Sequence, residues 1–150
     1  MNTKTEIKAF IDQSTWALAG LSSDEKKFSR MAYKELTRKG YTILPVNPKI
    51  NEIEGKKCYS DLKDLPPDVK HLLVMTPKEE SVKVVKQAMD LGIRNIWVQQ
   101  GAYSEGAFKD LDTSNVNLVT NKCILMFASP VKGVHKFHRF IARLFGQVPS

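Results

Sequence analysis

A chain of 150 residues with 42% apolar and 26% charged residues can build one hydrophobic core and is too hydrophobic for a disordered segment. No apolar run approaches the roughly 20 residues that cross a bilayer, and Met1 to Gln13 alternates charged with apolar residues instead of forming a signal-peptide core, so a cytoplasmic protein is expected. Of the formal net charge of +7, +4 belongs to Lys132, Lys136, Arg139 and Arg143 near the C-terminus; the remaining body is only mildly basic, which argues against nucleic acid as its ligand.

Ile7, Phe10 and Ile11 recur at helical spacing and predict an N-terminal helix with Thr3 as its cap. The apolar run from Trp16 to Ala19 stops at Gly20 and predicts a strand over 15–19. A Ser/Lys loop follows, then a helix over 28–39 ended by Gly40. Tyr41 to Val46 reads as the second strand, Lys57 to Tyr59 as a minor extended piece, and His71 to Met75 as the third strand. Thr76-Pro77-Lys78-Glu79 offers a capping hydroxyl, proline at the first helical position and Glu three residues after the cap, so a helix starts there. Val82, Val85, Ala88, Met89 and Leu91 give that helix a buried face, and Gly92 closes it. Asn95 to Gln99 is the fourth strand, Ser104 to about Leu111 a short helix and Val116 to Thr120 the fifth strand. Cys123 to Ala128 is a further strand or buried segment. Within 131–150, Val134, Phe137, Ile141, Leu144 and Phe145 mark a basic amphipathic helix extending the domain.

Alternating strands and helices predict a single α/β domain over 1–150: a doubly wound, mainly parallel sheet of five or six strands in a three-layer α/β/α arrangement, with the first strand central. Such sheets bind ligands at the carboxyl ends of their strands. Four turns fall on that rim: Gly20-Leu21-Ser22-Ser23, Val46-Asn47-Pro48-Lys49, Thr76-Pro77-Lys78 and Gln99-Gln100-Gly101. A strand that turns through glycine into a helix aims free backbone N–H groups and a helix dipole at one point, which suits a phosphate. Ser22, Ser23, Lys26 and Lys27 in that loop push toward a highly charged phosphate ligand. There is no G-x-G-x-x-G and no P-loop lysine motif. After the second strand stands Lys49 where NAD-preferring sites place an acid, which favours extra phosphate on the ribose, as in NADP or coenzyme A.

The ordered set Gly20-x-Ser22, Gly40-Tyr41, Val46-Asn47-Pro48, Gly55 with Cys58-Tyr59 and Leu62, Thr76-Pro77, Trp97-x-Gln99-x-Gly101 and Asn121-Lys122-Cys123-Ile124 resembles the small stand-alone CoA-binding domain proteins. These are similar to the nucleotide-binding domain of the succinyl-CoA synthetase alpha subunit. The resemblance runs from about Thr15 to Leu125 and departs at Leu21, where the family usually has alanine. It implies a Rossmann-like domain that holds coenzyme A, or an acyl-CoA, by its ADP portion. Gly20, Ser22 and Ser23 would cradle phosphate, with Lys26 and Lys27 beside them. Asn47, Pro48 and Lys49 would face the adenosine and its ribose phosphate, and Thr76, Pro77, Gln99 and Gly101 would line the rest of the rim. The synthetase's catalytic histidine lies in a second domain and its beta subunit is separate. Neither is found in this chain, so its ligase reaction is not carried over.

No other constellation carries chemistry. His71 opens an apolar strand. His135 and His138 share a helical face, but Lys136 and Arg139 beside them repel a cation, so no metal is expected. Cys58 and Cys123 are expected to be reduced, with Cys123 near the rim where a thiol meeting coenzyme A is conceivable. The terminal helix can dock on the sheet, meet nucleic acid or an anionic membrane surface through its basic face, or meet a protein partner or a second copy of the chain through Phe137, Phe140 and Phe145. Two functions stay open: a non-catalytic coenzyme A module acting as sensor or carrier, and an NADP-linked or other nucleotide-using enzyme or redox regulator on the same fold.

Overall fold

The apolar run after Ser14 is buried on both faces of the sheet, as a strand without a polar face must be. In the computed structural model, which describes residues 4–131, β1 (Thr15–Ala19) lies between β2 (Thr42–Val46) and β5 (His71–Val74), parallel to both. β6 (Asn95–Gln99) and β7 (Asn117–Lys122) continue the sheet outward from β5, giving five parallel strands in the order β2-β1-β5-β6-β7. This is the expected α/β Rossmann-like fold. The first strand is not the central one: β5 takes the middle, because both later strands stack on its far side. Pro45 in β2 lacks a ladder donor and suits the edge position that β2 occupies.

Alternation along each strand divides the core into two layers. Trp16, Leu18, Leu73 and Trp97 point to one face, under α1 (Lys4–Ile11) and α2 (Phe28–Arg38), where Phe10, Tyr33 and Leu36 are buried. Ala17, Leu72, Val74, Ile96 and Val98 point to the other, under α3 (Lys78–Asp90) and α4 (Glu105–Phe108), against Val85, Ala88 and Phe108. The first layer is aromatic: the Phe10 ring lies 4.9 Å from Trp16 and 5.5 Å from Trp97, and Tyr41 stacks on Trp16 at 4.3 Å. Both indole N–H groups are satisfied, Trp16 Nε1 by the Gln13 carbonyl at 2.7 Å and Trp97 Nε1 by the Lys122 carbonyl at 3.0 Å.

Other local expectations shift. The piece around 57–59 is part of a hairpin, β3 (Glu52–Ile53) with β4 (Lys56–Lys57), and Tyr59 then bridges to Val46. The segment after Cys123 is not a strand: Ile124–Met126 forms a 3-10 turn in which Ile124 is buried and Met126 exposed. Leu91 leaves the buried face of α3 because the helix ends at Asp90. Thr76 is not the capping hydroxyl. Pro77 occupies the cap position, and Thr76 Oγ1 instead meets the fully buried Ser81 Oγ at 2.8 Å. The Thr3 cap and the amphipathic helix over 131–150, with His135 and His138, lie outside the described residues, apart from Val131. Among the described residues, no helix is long and apolar enough to cross a membrane.

Candidate functional site

The order of strands reverses at β1: the chain passes from β1 outward to β2, then crosses back to β5 on the other side. At such a point the loops leaving the two neighbouring strands diverge and open a crevice at their carboxyl ends. A cleft of about 480 Å³ lies there. Gly20, Ser22 and Lys27 come to it from the loop after β1, Phe28 and Ser29 from the start of α2, Met75, Thr76 and Pro77 from the end of β5, and 99–102 from the end of β6.

Gly20 is what brings the first two loops together. Its φ is 96°, and a Cβ on it would stand 2.6 Å from the Met75 carbonyl carbon and 2.7 Å from the Thr76 nitrogen. Only a residue without a side chain allows that approach. Leu21, the departure from the family's alanine, does not crowd the loop, since its side chain is fully buried in the aromatic layer.

The loop's backbone donors are less free than the sequence implies. The Ser22 N–H donates to Ser29 Oγ at 3.0 Å, the Asp24 N–H to Ser22 Oγ at 3.0 Å, and the Lys26 N–H to Asp24 Oδ1 at 2.9 Å. The α2 N-terminus has no side-chain cap: Lys27 holds the cap position in an extended conformation and makes no capping hydrogen bond. The first-turn N–H groups of α2 and the positive end of its dipole therefore stand at the wall formed by Phe28 and Ser29.

Of the residues singled out from the sequence, Gly20, Ser22, Lys27, Thr76, Pro77, Gln99 and Gly101 line the cleft, and Ser23, Lys26, Asn47, Pro48 and Lys49 do not. Ser23 and Lys26 are exposed. Asn47 is a brace: its Nδ2 donates to the Leu21 carbonyl at 2.8 Å, and its Oδ1 accepts the Lys49 N–H at 2.8 Å. This ties the turn that carries Pro48 and Lys49 to the loop after β1. Gln99, only 4% exposed, accepts the Ile124 N–H on Oε1 at 2.9 Å and so fixes the chain leaving β7 to the rim.

Sequence reasoning missed Phe28, Ser29, Met75 and Ala102 as lining residues, placed Gln100 on the rim without singling it out, and missed Arg30 altogether. Arg30 is 5% exposed. Its Nη1 donates to the carbonyls of Ser22 at 3.3 Å and Ser23 at 3.1 Å, and its Nη2 to Glu54 Oε2 at 3.1 Å. No local signal marks it, because an arginine in a first helical turn normally reads as solvated. Around it, burial chiefly, and Glu54 after it, push the Tyr33 phenol above its usual value, and burial pushes the Cys58 thiol up. Cys58 is buried and Cys123 half-buried, and neither forms a disulfide. His71 is buried at the start of β5, at the far end of the sheet from the cleft, with its ring 5.4 Å from Phe10.

Comparison with known proteins bears on the whole of this architecture. A protein of Bacillus subtilis (strain 168) bearing the name YneT, itself uncharacterized, is 31% identical over 123 residues, covering 81% of this chain and 91% of its own. The ADP-forming acetate–CoA ligase of Methanocaldococcus jannaschii is 24% identical over 143 residues; the match takes in 95% of this chain but 20% of the ligase. Among solved structures, a conserved hypothetical protein from Pyrococcus furiosus superimposes with a TM-score of 0.69 at 36% identity, over 74% of this chain and 96% of its own. The model of the CoA binding domain matches residues 14–129, a span running from just before β1 to beyond the Ile124–Met126 turn, and the chain belongs to that family.

Proposed function

We propose that this chain binds coenzyme A or an acyl-CoA by its ADP portion at the cleft, with no catalysis of its own, as a sensor or carrier. The observation that carries the reading is the meeting, at the strand-order switch, of the Gly20 loop with an α2 N-terminus that no side chain caps. A diphosphate there gains first-turn N–H groups, the helix dipole, the Ser22 hydroxyl and the Lys27 ammonium together. The adenosine end then extends over the β1–β2 side, where Asn47 holds the Pro48-Lys49 turn against the loop and Lys49 meets the ribose phosphate. The family supports coenzyme A over other nucleotides.

The non-catalytic part of the reading rests on the site itself. His71 is remote, and no carboxylate of the loop or beside it lines the cleft: Asp24 accepts the Lys26 N–H, and Glu25 and Glu54 face Arg30. The ligase relative supplies its activity from a chain of which this one spans a fifth.

Calorimetric titration with coenzyme A, dephospho-coenzyme A and NADP, beside native mass spectrometry of the purified protein, tests the assignment. Coenzyme A is expected to bind most tightly. Preference for NADP would transfer the site to the nucleotide-enzyme reading, and turnover of acetate or succinate with ATP and coenzyme A would refute the absence of catalysis.

A further inference from the structure

Arg30 is the buried cation that ligand binding at the cleft leaves unexplained. It stands behind the loop over 20–27, not in the cleft, and burying a guanidinium is costly unless its donors are used. Here Nη1 and Nη2 are used, whereas Nε is buried without a partner. Its anchor also carries a cost. Glu54 sits at φ 48° at the tip of the β3–β4 hairpin, a conformation that asparagine or glycine adopts far more readily. Both local costs place one guanidinium nitrogen, Nη1, on two consecutive carbonyls while Nη2 holds Glu54.

In a trans peptide the N–H points opposite to the carbonyl of the same unit. Drawing the Ser22 and Ser23 carbonyls toward Arg30 therefore turns the N–H groups of Ser23 and Asp24 away from it. Asn47 does the same one unit earlier, at the Leu21 carbonyl, and the Ser22 N–H accordingly points to Ser29, a cleft-lining residue. The three successive N–H groups are thus turned from Arg30; Ser29 Oγ takes that of Ser22 and Ser22 Oγ that of Asp24, and both of these cleft-lining hydroxyls keep a proton to donate to an anion.

We infer that Arg30 is a positioning residue for the ligand's phosphate: anchored on Glu54, it holds two loop carbonyls back so that the anion meets N–H dipoles instead of carbonyl oxygens. The inference rests on the nucleotide reading above. Its chemistry needs the planar fork of arginine, since one ammonium cannot serve both carbonyls and the carboxylate in that geometry.

The experiment titrates coenzyme A and ADP against the unsubstituted chain, Arg30→Gln, Arg30→Lys and Glu54→Gln, with a urea melt of each. Arg30→Gln is expected to weaken both ligands by about tenfold or more. Arg30→Lys is expected to regain stability but little of the affinity. Glu54→Gln keeps an oxygen acceptor for Nη2, and with it the carbonyl ties, but loses the ion pair, so it is expected to lower stability while weakening coenzyme A far less than Arg30→Gln does. A purely structural ion pair would give parallel losses of stability and affinity in Arg30→Gln and Glu54→Gln, and that result overturns the inference. Should Arg30→Gln not fold, unchanged affinity in Arg30→Lys overturns it equally. Absence of binding by the unsubstituted chain removes the nucleotide reading itself, and this inference with it.

Discussion

Replacing Gly20 with alanine probes the close approach of the two loops on which the cleft depends. A Cβ at Gly20 would lie 2.6 Å from the Met75 carbonyl carbon, 2.7 Å from its oxygen and 2.7 Å from the Thr76 nitrogen, all backbone atoms that cannot swing aside. The left-handed backbone alone costs an alanine about 1–3 kcal/mol. Parting the loops to relieve the contacts adds about 1–3 kcal/mol, the usual range for overpacking. Gly20→Ala is thus expected to lose about 2–6 kcal/mol, a large share of the 5–15 kcal/mol or so that holds a domain folded. Gly101 supplies the control. Its φ is 94°, close to the 96° of Gly20, yet a Cβ there meets nothing within 4 Å, so Gly101→Ala bears only the backbone cost. Urea unfolding followed by tryptophan fluorescence reports both variants, because Trp16 and Trp97 are fully buried. Equal destabilisation of the two would refute the role given to close packing at Gly20.

Lys49→Ala is expected to weaken coenzyme A by about three- to tenfold, an exposed charge contact being screened by solvent, and to leave dephospho-coenzyme A nearly unaffected; equal losses in calorimetry would place Lys49 away from the ribose phosphate. Asn47→Asp replaces the donor to the Leu21 carbonyl with an acceptor and is expected to destabilise the chain by about 1–3 kcal/mol and to weaken coenzyme A as well; a denaturation midpoint and affinity both unchanged would dismiss the brace. Tyr41 donates to the Ser129 carbonyl at 2.6 Å, and burial, with Asp12 after it, pushes its phenol from 10.0 up to about 12. A raised value favours the protonated, folded form, so this contribution is complete below pH 10 and is lost as pH climbs toward 12. Tyr41→Phe is expected to flatten that part of the stability–pH curve, and an unaltered alkaline slope in urea melts at successive pH values would count against it.

The backbone was largely legible in the chain. Runs such as Trp16 to Ala19 and Ile96 to Val98, short, apolar at every position and bounded by turn residues, read as strands covered on both faces, and glycines such as Gly20 and Gly40 end elements through conformations that other residues avoid. Those signals are local, spanning a few residues, and they carried the α/β class, the element order and the rim on which the turns converge. Tertiary structure alone decided which strand is central, because strand order depends on how each crossover packs and not on the strand's own sequence. It decided that Thr76 meets Ser81 instead of capping, and that Asn47 reaches back 26 residues to Leu21. It also paired Arg30 with Glu54, 24 residues away, across two loops. A side chain's partner is set by the whole path of the chain around the sheet, so the residues that hold the loop in place were hidden where the residues that form it were not.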